Sequence, residues 1–222
     1  MSREAETRNK KVTLVLGGAQ SGKSHYAQQL ASHSEHVTFI ATAPRSDTEM
    51  RKKIARHRRE RPVAWSTVEA PLNLAQTISS ESHKANVVLI DCLTIYVANV
   101  MGARKASSGT LKKHIEAVCG AIRASKADVI VVSNEVGSGV VPPYRSGRIY
   151  RDFLGQMNRE IAQIADKVVL MIAGVPLTLK DLRVSPKKRM NDTSPLGLAA
   201  NGLPVLANGS RQKHSRLRKT FE

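Results

Sequence analysis

The sequence predicts an α/β fold: a mostly parallel β-sheet with helices on both faces. Three observations carry that prediction. Five short apolar runs recur along the chain, helical stripes lie between them, and the first run leads directly into a glycine-rich turn ending in Lys-Ser. Runs that are nearly continuous and rich in β-branched residues are those of strands buried on both faces. Strands alternating with helices favour a parallel sheet. The pattern leaves the strand order open.

The expected strands are Val12–Leu16, Val37–Thr42, Asn86–Ile90, Asp128–Val132 and Lys167–Ala173. After the first comes Gly17-Gly18-Ala19-Gln20-Ser21-Gly22-Lys23-Ser24, which fits G-x-x-x-x-G-K-[ST], and then a helix over His25–Ser32. Strand, glycine turn and helix in that order form a P-loop, so the fold class sharpens to a P-loop NTPase, and a RecA-like sheet is expected. Glycines let the backbone curl until its N–H groups face phosphate oxygens. Lys23 is placed to reach the β/γ-phosphates and the Ser24 hydroxyl to ligate Mg²⁺. The positive end of the helix faces the same anion.

Next, Ser46-Asp47-Thr48-Glu49 is a capping-box signature and opens a helix that should end before Pro62. On it Met50, Ile54 and His57 share a face, and Arg56, Arg58, Arg59 and Arg61 flank the histidine. Neighbouring positive charge disfavours imidazolium and leaves a ring nitrogen free as a nucleophile. The same arginines suit a triphosphate through bidentate contacts. A histidine among arginines also fits an ordinary surface position.

Asp91 directly follows Val87–Ile90, where a Walker-B acid would hold Mg²⁺, or it serves as the N-cap of a helix over Cys92–Met101. Further stripes at Leu111, Ile115, Val118, Cys119 and Ile122, and at Ile149, Phe153, Met157, Ile161 and Ile164, predict two more helices. In an open α/β sheet ligands bind beyond the carboxyl ends of the strands. The P-loop, Thr42, Asp91 and the pair Asn134–Glu135 should therefore share one rim. Glu135 suits two roles, orienting a hydroxyl or metal, or closing the turn before Gly137.

Composition bounds the rest. The 222 residues suit one catalytic domain over 12–182, with a polar extension at 1–11 and a basic, Pro- and Gly-punctuated tail at 183–222 that is expected to be disordered. The net charge of +17 is concentrated: residues 51–61 hold +6 and residues 183–222 hold +7. With only 4% aromatic residues the chain has little for base stacking, so no nucleic-acid partner is expected. No apolar run approaches the roughly 20 residues of a membrane helix. Cys92 and Cys119 read as free buried thiols, and the expected location is the cytoplasm. From the residues alone, a small-molecule kinase without nucleotidyl transfer, a RecA-like nucleic-acid-stimulated ATPase and a GTP-binding switch all stand beside a nucleotidyltransferase.

From about Val12 to Lys180 the chain resembles the bifunctional adenosylcobinamide kinase/adenosylcobinamide-phosphate guanylyltransferases of cobalamin biosynthesis. The resemblance is carried by the P-loop, by Ile40-Ala41-Thr42, and by Ile54-Ala55-Arg56-His57-Arg58-Arg59-Glu60-Arg61-Pro62. Asp91-Cys92-Leu93-Thr94 and the run Asn134-Glu135-Val136-Gly137-Ser138-Gly139-Val140-Val141-Pro142 extend it. It implies that ATP or GTP phosphorylates adenosylcobinamide. It also implies that GMP passes from GTP to adenosylcobinamide phosphate through a guanylyl-histidine on His57, giving adenosylcobinamide-GDP. Nucleotide contacts are implied at Gly17–Ser24, at Thr42, Ala43 and Pro44, at Glu60, Arg61, Pro62 and Val63, at Glu69 and at Asp91. Glu69 would meet guanine or a ribose hydroxyl. A homotrimer is implied as well. Three departures stand out: Gln20 where relatives often carry a basic residue, Lys53 for a frequent arginine, and a tail beyond Asp181 without counterpart.

Overall fold

The computed structural model describes residues 10–44, 62–103 and 108–182. The predicted helix over 47–61, with His57, Glu60 and Arg61, lies outside them, as do most of the N-terminal extension and the tail. In chain order the elements are β1 Val12–Gly17, α1 Lys23–Ala31, β2 Val37–Ala41, β3 Ser66–Glu69, α2 Leu74–Glu81 and β4 Val87–Asp91. They continue with α3 Leu93–Gly102, α4 Ser108–Ala124, β5 Asp128–Asn134, α5 Arg145–Ile164, β6 Lys167–Ile172 and β7 Val175–Asp181.

The strands form one sheet in the order β3-β2-β4-β5-β1-β6-β7. All neighbours are parallel except β6 and β7. One strand, β5, separates the P-loop strand from the strand that ends in Asp91, which is the RecA-like arrangement. Strand alternation divides the core. Leu14, Leu16, Val88, Ile90, Val129 and Val131 face the side covered by α2–α5. Val15, Phe39, Leu89, Ile130 and Val132 face the side where Ala27 and Ala31 of α1 pack. Both faces are covered, which is why the sequence shows continuous apolar runs.

Two carboxylates fix where β1 begins. Asp128 accepts the Lys11 N–H and Asp166 accepts the Val12 N–H, each at 2.8 Å. At the opposite edge β6 turns into β7 through Ala173 and Gly174, with φ of 50° and 84°. Positive φ at both central residues is what a two-residue type I′ hairpin needs.

Three corrections to the sequence reading follow. The edge strands β3 and β7 went unread, as did the short helix α2. Ile149, placed on the core stripe of α5, is exposed in the first turns of the helix, whereas Phe153, Met157 and Ile161 behind it are buried. Cys119 is buried as expected, but Cys92 is only half-buried.

Candidate active site

The P-loop is built from backbone constraints at three positions. Gly17 closes β1 so tightly that an added Cβ would lie 2.8 Å from the Met171 carbonyl and collide with the Ser21 hydroxyl. Gln20 and Gly22 take positive φ, 56° and 88°, which bends the chain into a cup before α1 starts. Gly22 supplies no side-chain cap and the first turn of α1 has no acid. A helix start of this kind turns its first N–H groups and the positive end of its dipole toward an anion. Lys23 reaches back across the cup, its Nζ donating to the Gly18 carbonyl at 2.9 Å. Behind the cup, Gly174 donates its N–H to the Ser21 carbonyl at 3.1 Å.

Asp91 stands at the carboxyl end of β4, two strand spacings from β1, or about 10 Å along the rim. Its position depends on Thr42. That side chain is wholly buried; its hydroxyl donates to the Cys92 carbonyl at 2.7 Å and accepts the Cys92 N–H at 2.9 Å. Asn99 of α3 completes the joint, donating to the Thr42 carbonyl at 2.8 Å and the Pro71 carbonyl at 3.1 Å. Thr42 therefore acts on the site by holding the Asp91–Cys92 turn. Thr42→Val keeps the shape but strands buried polar groups of Cys92. It is expected to lower stability by about 2 kcal/mol in urea unfolding, while Thr42→Ser retains most of it.

The Cys92 thiol reports the local electrostatics. Burial pushes its pKa up, and the Asp91 carboxylate adds to that. The Ile95 backbone, the Thr94 side chain and the Lys23 ammonium pull the other way. Lys23 and Asp91 are thus both within electrostatic reach of one sulfur, which links the P-loop to the end of β4. Ser24 and Asp91, both half-buried, offer hydroxyl and carboxylate oxygens, the hard donors that suit Mg²⁺.

The carboxyl end of β5 adjoins the P-loop directly, since Glu135 donates its N–H to the Gly17 carbonyl at 3.1 Å. Thr94 accepts the Asn134 N–H at 2.9 Å, and Asn158 of α5 donates to the Asn134 carbonyl at 3.0 Å. Glu135 closes its own turn, accepting the Gly137 N–H at 2.5 Å. That bond is the turn-closing role its sequence position suited.

Glu69 ends β3 and is exposed, four strand spacings from β1, or about 19 Å. That distance is comparable with an extended nucleoside triphosphate laid along the rim from the P-loop. Pro62 and Val63 are exposed in the turn that precedes β3, where the Trp65 N–H meets the Pro62 carbonyl at 3.1 Å. The structure thus brings the P-loop, Ala43, Pro44, Asp91 and Glu69 to the carboxyl-end rim. Sequence reasoning missed Asn99, whose one signal was an amide in the mostly apolar Leu93–Gly102.

Comparison with known proteins bears on the whole of this rim. A family model described as cobinamide kinase/cobinamide phosphate guanyltransferase matches residues 13–179. The bifunctional adenosylcobalamin biosynthesis protein CobP of Pseudomonas aeruginosa is 40% identical over 168 residues, covering 75% of this chain and 96% of that protein. The similarly named CobU proteins of Escherichia coli and Salmonella typhimurium are 36% and 33% identical, each over 75% of this chain and 98% of their own length.

Proposed function

Because the chain belongs to the cobinamide kinase/cobinamide phosphate guanyltransferase family, we propose that one nucleotide rim, from the P-loop to Glu69, serves both of that family's reactions. The enzyme is a bifunctional transferase of adenosylcobalamin biosynthesis. The observation that carries the proposal is the Lys23–Gly18 cup at the head of the family match, with Asp91 on the same rim.

In the kinase reaction a hydroxyl oxygen of adenosylcobinamide attacks the γ-phosphorus of ATP or GTP, and the nucleoside diphosphate leaves. Lys23 and the first turn of α1 bind the phosphate oxygens and offset the charge that grows on the departing diphosphate. Ser24 and Asp91 would hold Mg²⁺, which neutralises phosphate charge when bound. In the second reaction a ring nitrogen of His57 attacks the α-phosphorus of GTP and pyrophosphate leaves. A phosphate oxygen of adenosylcobinamide phosphate then displaces the histidine. Splitting the transfer in two lowers each barrier. Gly17–Ser24 cradle the phosphates, while Ala43, Pro44, Pro62, Val63 and Glu69 line the path toward the base; nucleotide contacts by Glu60 and Arg61 belong to the same reading. Thr42 backs that path from beneath.

A homotrimer is part of the same reading, as is a cytoplasmic site of action. Among the described residues no helix is long and apolar enough to cross a membrane. The test is product analysis: purified enzyme with adenosylcobinamide and GTP should yield adenosylcobinamide phosphate and then adenosylcobinamide-GDP by mass spectrometry. Formation of the phosphate alone would leave a simple kinase.

A further inference from the structure

The loop between β5 and α5 exposes apolar side chains that neither the sheet nor the helices use. Val140 is 94% exposed, Val141 61% and Tyr144 77%. The loop is nonetheless braced. Arg148 donates to the Pro142 and Pro143 carbonyls at 3.2 and 2.6 Å, and Arg151 to the Gly137 and Gly139 carbonyls at 2.7 and 3.4 Å. Pro142 sits so close to Gly147 that an added Cβ there would come within 2.7 Å of it. Two guanidinium groups thus hold the backbone while apolar side chains face solvent. An exposed apolar patch on a fixed frame is the mark of a binding surface.

Its position selects the ligand. The loop leaves the carboxyl end of β5, the neighbour of β1, and its first N–H is bonded to Gly17 of the P-loop. A phosphoryl acceptor must place one oxygen at the P-loop and carry the rest of its body beyond the strand ends. Cobinamide is a wide macrocycle rimmed with methyl and methylene groups, so most of its bulk would lie over such a rim. Among the described residues another exposed apolar set, Val175, Leu177 and Leu179, runs along the edge strand instead of gathering at the strand ends. Resting on the function proposed above, we propose that Val140, Val141 and Tyr144 form a preset shelf for the apolar rim of the cobinamide ring. The shelf sets acceptor affinity and leaves nucleotide binding to the P-loop.

The test compares wild type with Val140→Ser/Val141→Ser, Tyr144→Ser and Tyr144→Phe. Adenosylcobinamide binding is read by equilibrium dialysis without nucleotide, and kinase kinetics with each substrate varied. The serine variants should weaken adenosylcobinamide binding and raise its KM by about tenfold. Their kcat at saturation and KM for ATP should stay within about twofold on the same scale, and Tyr144→Phe should match wild type. Unchanged acceptor affinity in folded variants overturns the shelf, as does an equal loss toward both substrates. So does dissociation of an oligomer with acceptor affinity intact, which would make the loop a subunit contact. A wild-type enzyme that forms no cobinamide phosphate would instead fail the functional reading, and the shelf with it.

Discussion

His57→Ala should lower guanylyl transfer by at least about a thousandfold, the scale on which enzymes lose turnover when a nucleophile is removed. Incubated with GTP labelled at the α-phosphate, wild type should acquire label that is labile to acid and stable to alkali, as a P–N bond is. The variant should acquire none, and adding adenosylcobinamide phosphate should discharge the label from wild type. The proposed kinase half-reaction does not use this ring, so adenosylcobinamide phosphate should still form at close to the wild-type rate. Label retained by His57→Ala would take this residue out of the chemistry. Loss of both activities together would point to a damaged rim.

Lys23→Ala is expected to reduce kinase kcat by about 10²–10³, as does loss of one donor aimed at developing charge. The native ammonium is already turned into the cup by its bond to the Gly18 carbonyl, so on the proposed reading it would meet phosphate with little reorganisation. Lys23→Arg should not restore the rate, because a broad planar guanidinium replaces a compact ammonium in a tight backbone ring. Steady-state transfer of labelled γ-phosphate, with thermal unfolding as a check on folding, measures both variants. Unchanged kcat in Lys23→Ala would remove the P-loop from phosphoryl transfer.

The central strands were legible because burial on two faces leaves an apolar run that only a few arrangements can satisfy. Edge strands leave no such trace. Ser66–Glu69 has three exposed residues of four and β7 is exposed for most of its length, so neither had to be apolar. The helix Leu74–Glu81 spans about two turns and buries only two aliphatic side chains, Leu74 and Ile78, too few to establish a period. At the site, the P-loop could be read because its parts are neighbours in sequence. The joint that seats Asp91 could not: Thr42 meets Cys92 across 50 positions and Asn99 across 57. A strand-end threonine resembles a ligand-facing residue until the partner of its hydroxyl is known. Cys92 shows the same limit, since an apolar neighbourhood in sequence did not disclose a thiol that is only half-buried.

The bond from Gly174 to the Ser21 carbonyl, together with the 3.5 Å approach of its Cα to a Cβ built at Gly22, makes the phosphate cup and the terminal hairpin one mechanical body. Stiffness imposed on one is transmitted to the other, and such coupling is reciprocal. A bound triphosphate would therefore quieten the outermost strand, and whatever clasps that strand would ready the cup for nucleotide.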